Sequence, residues 1–195
     1  MKRLLAALLV CLALCGVCAV GACAAGGFDP NAVRRCIFLV DTNPAMGFGH
    51  SAMVLVDQNR SGMLLSYQIG GLLQAALSAA QLRQFLGDGI IPKEIAVARF
   101  QFNRTLEFDV LPEEGRRMYD HASTHEFQPF FMYASFYYSI IPYRDNCLTF
   151  VHSVMAAGSS KYKFLYPFGA PIFAFSALKW RLRLRRIPYT VSYPG

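Results

Sequence analysis

The distribution of apolar and polar positions predicts β-strands in the first half of the chain. Residues 36–41 form a short, mostly apolar run of β type, and residues 42–49 after it are rich in turn-forming types. Residues 50–69 hold two further apolar runs around a polar turn, which predicts a β-hairpin. Residues 95–102 and 105–110 also favour extended structure.

Three segments of the sequence are predicted to form helices. One predicted helix, ended by Gly87 and Gly89, has apolar residues on one face at Leu72, Leu73, Ala76, Leu77, Ala80 and Phe85. A second begins at Pro112, where Glu113 and Glu114 suit the positive end of the helix dipole, and runs to about His125. A third begins with Asp145 or Asn146 as its N-cap and ends at Gly158.

The last predicted element is a strand, because residues 178–185 alternate apolar and basic side chains with period two. Together these elements predict an α+β fold with a mainly antiparallel sheet. Residues 30–195 are expected to form a single domain, since no linker or repeat divides them.

The first 25 residues are set apart by composition. Lys2 and Arg3 precede a stretch without charge that lasts until Asp29, a pattern typical of a secretory signal over residues 1–25. The segment ending in Cys23, Val-Gly-Ala-Cys, resembles the lipobox of bacterial lipoproteins, which predicts cleavage before Cys23 and its lipidation. An uncleaved membrane anchor is the alternative, because the apolar run is long enough to span a bilayer. Either outcome predicts an exported protein of the cell envelope or a secreted one.

Composition excludes a disordered tail or a disulfide miniprotein. The 195 residues are 54% hydrophobic, enough to bury a core, and the formal net charge is +7. Four of the six cysteines lie in the predicted signal, which leaves Cys36 and Cys147. These two could form one disulfide, Cys147 could be a small buried residue, or one of them could be a nucleophile paired with a histidine.

The pattern around Cys147 and His50 favours the nucleophile. Cys147 falls in the first turn of a predicted helix, where free amides and the dipole stabilise a thiolate, and His50 stands at the mouth of the hairpin as a general base. A third group must orient the imidazole. The predicted register places Gln68 opposite His50, with Ser66 on the same face as the alternative.

These residues resemble a known family, the circularly permuted papain-like enzymes. The motifs are Gly49-His50-Ser51-Ala52, in which the His precedes the Cys, and Asn146-Cys147-Leu148-Thr149-Phe150. This branch of the NlpC-type superfamily includes the lecithin retinol acyltransferase-like proteins. The resemblance implies an antiparallel sheet packed against helices, Cys147 as nucleophile, His50 as base and Tyr143 beside the substrate.

The expected function is an exported thiol hydrolase or acyltransferase that acts on an amide or ester, such as a cell-wall peptide or a lipid. No cofactor or metal is expected, because His121 and His125 lack a third ligand. The alternative is a non-catalytic envelope lipoprotein that binds a lipid or cell-wall ligand. An anionic membrane surface, rather than nucleic acid, is the expected partner of the basic residues Lys179, Arg181, Arg183 and Arg185.

Overall fold

A computed structural model gives the fold. The residues it describes are 27–42, 49–68, 71–92, 95, 101–124, 146–164 and 171–194. Within them the chain is α+β, as the sequence predicts, with a six-stranded antiparallel sheet packed against helices. The predicted signal with Cys23, and also Tyr143, lie outside the described residues.

The sheet has the strand order β4-β3-β2-β1-β5-β6. Every neighbouring pair is antiparallel. The strands are β1 Val33–Asp41, β2 His50–Asp57, β3 Gly62–Gln68, β4 Gly71–Leu77, β5 Arg104–Asp109 and β6 Tyr189–Ser192. The predicted hairpin is confirmed as β2 and β3, and the predicted strand near residue 105 as β5.

Four α-helices are present among the described residues, with short 3-10 turns at Pro30–Ala32 and Ser160–Tyr162. The helices are α1 Ala79–Asp88, α2 Pro112–Thr124, α3 Cys147–Gly158 and α4 Pro171–Leu184. The bounds of α2 and α3 agree with the sequence prediction within one or two residues.

The sheet separates two apolar clusters, because successive side chains of a strand point to opposite faces. On one face, here called the α3 face, strand residues such as Phe38, Met53 and Leu55 pack against α2, α3 and α4. On the other, the α1 face, Ile37 and Val54 pack with their neighbours against α1. The central strand β2 is buried at all eight positions, since both of its faces are covered.

The helix predicted to begin near Leu72 is wrong in its first half. Residues Gly71–Leu77 form the edge strand β4, which pairs with β3 from Gly62 to Gln68. The helix starts only at Ala79, where Ser78 and Gln81 form a capping box. The spacing of the apolar residues fits the period of a helix and also that of a strand. Residues 71–77 form a strand because they pair with the edge of β3, which would otherwise be unpaired.

The strand predicted for the basic tail is also wrong, since these residues belong to helix α4. The buried residues of α4 include Ala174, Phe175, Leu178 and Leu182, which recur at the helical spacing. The period of two over residues 178–185 is a local coincidence, because Trp180 and Leu184 are apolar but exposed.

None of the helices in the described part of the chain combines the length and the apolar character that crossing a membrane requires.

Candidate functional site

The amino end of α3 is built by Asn146. Its side-chain oxygen accepts hydrogen bonds from the amides of Leu148 and Thr149, both at 2.9 Å. The hydroxyl of Thr149 in turn accepts from the amide of Asn146 at 2.8 Å, which completes a capping box. Of the two N-cap residues that the sequence left open, Asn146 takes the role, and Cys147 is the first residue of the helix.

The thiol of Cys147 is buried, with 8% of the residue exposed. Burial raises the pKa of the thiol, while the side chain and backbone of Ser51 and the first amides of α3 lower it, and the net shift is upward. Cys147 is therefore a neutral thiol in this arrangement. Cys36 is buried as well, and burial raises its pKa far above the ordinary value. Both are free cysteines, so the disulfide alternative does not hold here.

Ser51 is a site residue that the sequence analysis missed. Its hydroxyl is buried and makes no hydrogen bond of good geometry to any described group. It nevertheless lies close enough to the sulfur of Cys147 to lower the thiol pKa. The available signal was strand alternation, which turns the residue after His50 towards the opposite face.

His50 is the first residue of β2 and is 5% exposed. Its Nε2 lies 2.9 Å from the hydroxyl oxygen of Ser66, and its ring centroid lies 6.0 Å from that of Phe102. Burial lowers the pKa of His50 to about 3, so the imidazole is neutral at physiological pH.

The imidazole and the thiol lie on opposite sides of the sheet. Ser66 and Phe102 place the His50 ring on the α1 face, whereas Ser51, the next residue, faces the Cys147 sulfur on the α3 face. The backbone of β2 therefore separates the side chains of Cys147 and His50. Their side chains do not form a hydrogen bond in this arrangement.

The register of β2 and β3 shows where the two predicted partners of His50, Gln68 and Ser66, lie. The strands pair Met53 with Leu65 and Val56 with Gly62, and continuing this register places Gln68 opposite His50, as predicted. The hydrogen bond goes to Ser66 instead. A short hydroxyl two residues along the strand fits the diagonal position on the same face.

A metal site is not assembled by the described residues, because no group of three or more His, Cys, Asp or Glu side chains lies close enough together. Comparisons with protein families, with curated proteins and with solved structures find no match to this chain. The geometry around Cys147, Ser51, His50 and Ser66 is therefore the basis for a functional proposal.

Proposed function

We propose that the protein is a thiol hydrolase or acyltransferase of the permuted papain-like type, in which Cys147 forms an acyl-enzyme. One observation carries the proposal: the sulfur lies at the amino end of α3, against the residue that follows His50. The first amides of α3 stabilise negative charge on sulfur and on a carbonyl oxygen that it attacks. The buried hydroxyl of Ser51 supplies a further donor at the same place.

In the proposed reaction, the Cys147 thiol gives its proton to His50 as a carbon–sulfur bond forms with the substrate carbonyl. The tetrahedral intermediate collapses when the amine or alcohol leaves with that proton. Water or a second nucleophile then breaks the thioester, which distinguishes a hydrolase from an acyltransferase. The imidazole leaves Ser66 when it turns towards the sulfur, so Nε2 is the acceptor nitrogen in this scheme.

The proposal requires the imidazole to turn from the α1 face towards the sulfur. His50 stands at the end of its strand, after Gly49, whose φ of +76° is a left-handed conformation that favours glycine. Such a turn breaks the hydrogen bond to Ser66 and requires the backbone at Gly49 and His50 to change, because rotation about the side-chain bonds alone leaves the imidazole on the α1 face. The substrate carbonyl would then lie between Ser51 and the amino end of α3.

The proposed substrate is a peptide amide of the cell wall or a lipid ester, and the proposed location is the cell envelope. Both follow from the apolar segment before Asp29 and its Cys23. Mass spectrometry of the mature amino terminus tests the location directly. A lipid on Cys23 supports anchoring, and an intact residue 1 contradicts cleavage.

Alkylation of the full chain with iodoacetamide at a series of pH values tests the catalytic proposal, with the labelled cysteine located by peptide mass spectrometry. Cys147 should react faster than the fully buried Cys36, and His50→Ala should slow this reaction, because the imidazole takes the thiol proton as the sulfur is alkylated. His152→Ala is the matched control, because His152 lies on α3 itself and should leave the reactivity unchanged. A Cys147 as inert as Cys36 in the unmodified protein contradicts the proposal.

A second candidate function, lipid binding without catalysis, is favoured by the exposed side of α4. Phe173, Trp180 and Leu184 are more than half exposed and are spaced by seven and four residues, so they share one stripe. Arg181 and Arg183 lie on either side of it. Aromatic and aliphatic side chains flanked by arginines are typical of helices that lie on anionic membranes. We propose that α4 contacts such a surface.

Trp180 makes this testable, since it is the only tryptophan of the chain. Its fluorescence should shift to shorter wavelength with phosphatidylglycerol vesicles, and less with phosphatidylcholine vesicles or at high salt. The variant Phe173→Ser/Leu184→Ser should weaken binding at least tenfold, whereas Leu111→Ser, also an exposed apolar position, should not. An unchanged Trp180 spectrum with anionic vesicles contradicts the proposal.

A further inference from the structure

A cleft of about 390 Å³ opens on the α1 face, between the first residues of β1, the turn that joins β2 to β3, and helix α1. Its floor is apolar and includes Ile37, Val56 and Leu82, all buried. Four arginines also line it. They are Arg34, Arg35, Arg60 and Arg83, and together with the floor they define the arginine cleft.

Three of these arginines have no ion-pair or hydrogen-bond partner among the described residues. Arg35 is neutralised by Glu107 at 2.8 Å, with Asp109 at 3.8 Å. In the part of the chain that the structure describes, the side chains of Arg34, Arg60 and Arg83 make neither an ion pair nor a hydrogen bond. All three are exposed, so three positive charges border one apolar hollow without a neutralising group.

The acidic residue of the cleft has its oxygens occupied by backbone amides. The carboxylate of Asp57 accepts backbone amide hydrogen bonds from Asp29 at 3.0 Å, Asn59 at 2.8 Å and Ser61 at 2.9 Å. Asp57 is 4% exposed. Its oxygens therefore hold the turn, and its single negative charge leaves the cleft with a net positive charge.

Arg60 has an unusual backbone conformation. Its φ of +63° lies in the left-handed region, which is disfavoured for a residue with a Cβ relative to glycine. Glycine or asparagine would form this turn at less cost. Strained residues cluster at functional sites, and here the strained residue is an arginine on the rim of the cleft.

We propose that the arginine cleft binds a small amphiphilic anion, a phosphate or carboxylate group that carries a short alkyl chain. Arg34, Arg60 and Arg83 contact the oxygens, since the planar guanidinium matches oxyanions in a bidentate manner. The alkyl chain covers Ile37 and Leu82. The volume falls in the range of small-molecule sites, about 300–1,000 Å³.

This site does not depend on the proposed catalysis. It adjoins Val56, at the opposite end of β2 from His50, so the two places are about 20 Å apart at 3.3 Å per residue. The Cys147 thiol also lies on the other face of the sheet. Cys147→Ala should therefore bind the anion as the unmodified chain does, which separates failure of one proposal from failure of the other.

Isothermal titration calorimetry of the full chain with three probes tests the ligand chemistry. Hexyl phosphate should bind, inorganic phosphate should bind at least tenfold more weakly, and hexanol should not bind measurably. Hexanoate in place of hexyl phosphate shows whether a carboxylate serves as well as a phosphate. Absence of hexyl phosphate binding overturns the proposal, and equal affinities for hexyl phosphate and phosphate overturn the apolar half of it.

Three single variants test the residues. Arg60→Asn, which tolerates the left-handed turn, Arg83→Gln and Arg34→Gln should each lower the affinity for hexyl phosphate about tenfold. Arg185→Gln removes the same charge from the turn after α4 and is the control. Circular dichroism of each variant verifies the fold. Affinities that stay unchanged in all three folded variants, or that fall equally in Arg185→Gln, contradict the proposal.

Discussion

His50 Nε2 lies 2.9 Å from the hydroxyl of Ser66, and Ser66 is on the α1 face, away from the Cys147 thiol. The adjacent residue, Ser51, faces that thiol. His50 thus holds a neutral, buried imidazole on the α1 face, and its neighbour Ser51 lies against the neutral, buried sulfur of Cys147 on the α3 face. Each of these residues leads to a measurable prediction.

Acid should destabilise the protein through His50. Burial lowers its pKa to about 3, whereas in the unfolded chain the value returns to about 6.5. The unfolded state therefore binds more protons between these values, and the free energy of unfolding falls as the pH decreases below about 6.5. At pH 5 the loss from this group is about 2 kcal/mol.

Urea unfolding between pH 7 and pH 5 measures this loss. His50→Gln removes the titrating group and should show a flatter dependence, and His152→Gln should flatten it less, because burial also lowers the pKa of the half-buried His152. Parallel curves for the unmodified protein and His50→Gln would exclude a buried neutral imidazole at this position.

Ser66→Ala should cost more stability than Gln68→Ala. Removing the hydroxyl leaves His50 Nε2 without its 2.9 Å partner inside the core, a loss of about 1–3 kcal/mol. Gln68 is half-buried at the end of β3, and its truncation should cost no more than about 0.5 kcal/mol. Denaturant midpoints at pH 7 provide the comparison, and the reverse ranking would place the imidazole against Gln68.

Ser51→Ala should separate stability from catalysis. The Ser51 hydroxyl is buried without a good hydrogen bond, so its removal should leave the unfolding free energy unchanged or raise it by up to about 1 kcal/mol. If this hydroxyl donates to the reacting carbonyl, the same change should slow acylation of Cys147 by about 10²-fold or more.

The rate of acetyl transfer from p-nitrophenyl acetate to Cys147, followed by mass spectrometry, gives the second quantity. Ser153→Ala, a hydroxyl on α3 that bonds the carbonyl of Phe150, is the matched control. Equal acylation rates in the Ser51 variant and the unmodified chain would remove Ser51 from the proposed site.

Glu114 should stabilise the fold only above acidic pH. Burial raises its pKa, but hydrogen bonds from Lys161, Tyr162 and the Leu111 amide outweigh burial and hold the pKa below its usual range. The Tyr162 hydroxyl donates to the carboxylate at 2.6 Å, and Lys161 Nζ lies 2.7 Å from its other oxygen. A depressed carboxyl pKa contributes stability above the unfolded value, which is lost as the pH falls through the folded one.

Glu114→Gln should therefore reduce the loss of stability below about pH 4.5, a window more acidic than that of His50. Tyr162→Phe should cost about 1–2 kcal/mol at pH 7 by removing one donor. Thermal unfolding at pH 7 and pH 3.5 measures both. A Glu114→Gln variant with the same acid sensitivity as the unmodified protein would contradict the assignment.

The sequence was most informative where local chemistry decides the structure. Ser, Asn and Gly at helix ends, and the polar turn between two apolar runs, placed the start of α3 and the hairpin of β2 and β3 because caps and turns depend on a few neighbouring residues. Cys147 and His50 could be selected for the same reason.

The wrong predictions concern segments whose secondary structure is decided by contacts with residues distant in the sequence. Residues 71–77 carry a pattern that suits a helix, and only the presence of β3 makes them a strand. The alternating tail is a helix because its buried residues extend back to Pro171, beyond the window that shows the alternation. The face to which His50 points depends on packing around Phe102 and Ser66, which no local pattern encodes.

The complete burial of β2 has a consequence for how the chain finds its native pairing. A strand with one solvent-exposed face keeps its register through the hydrophobic effect, because a shift by one residue would expose its apolar side chains. β2 gains little from that discrimination, since all eight positions are covered. Asp57, anchored by three amides at the end of the strand, acts instead as the stop that fixes the alignment. Loss of that stop through Asp57→Ala would therefore weaken the discrimination between the native register and one shifted by a residue.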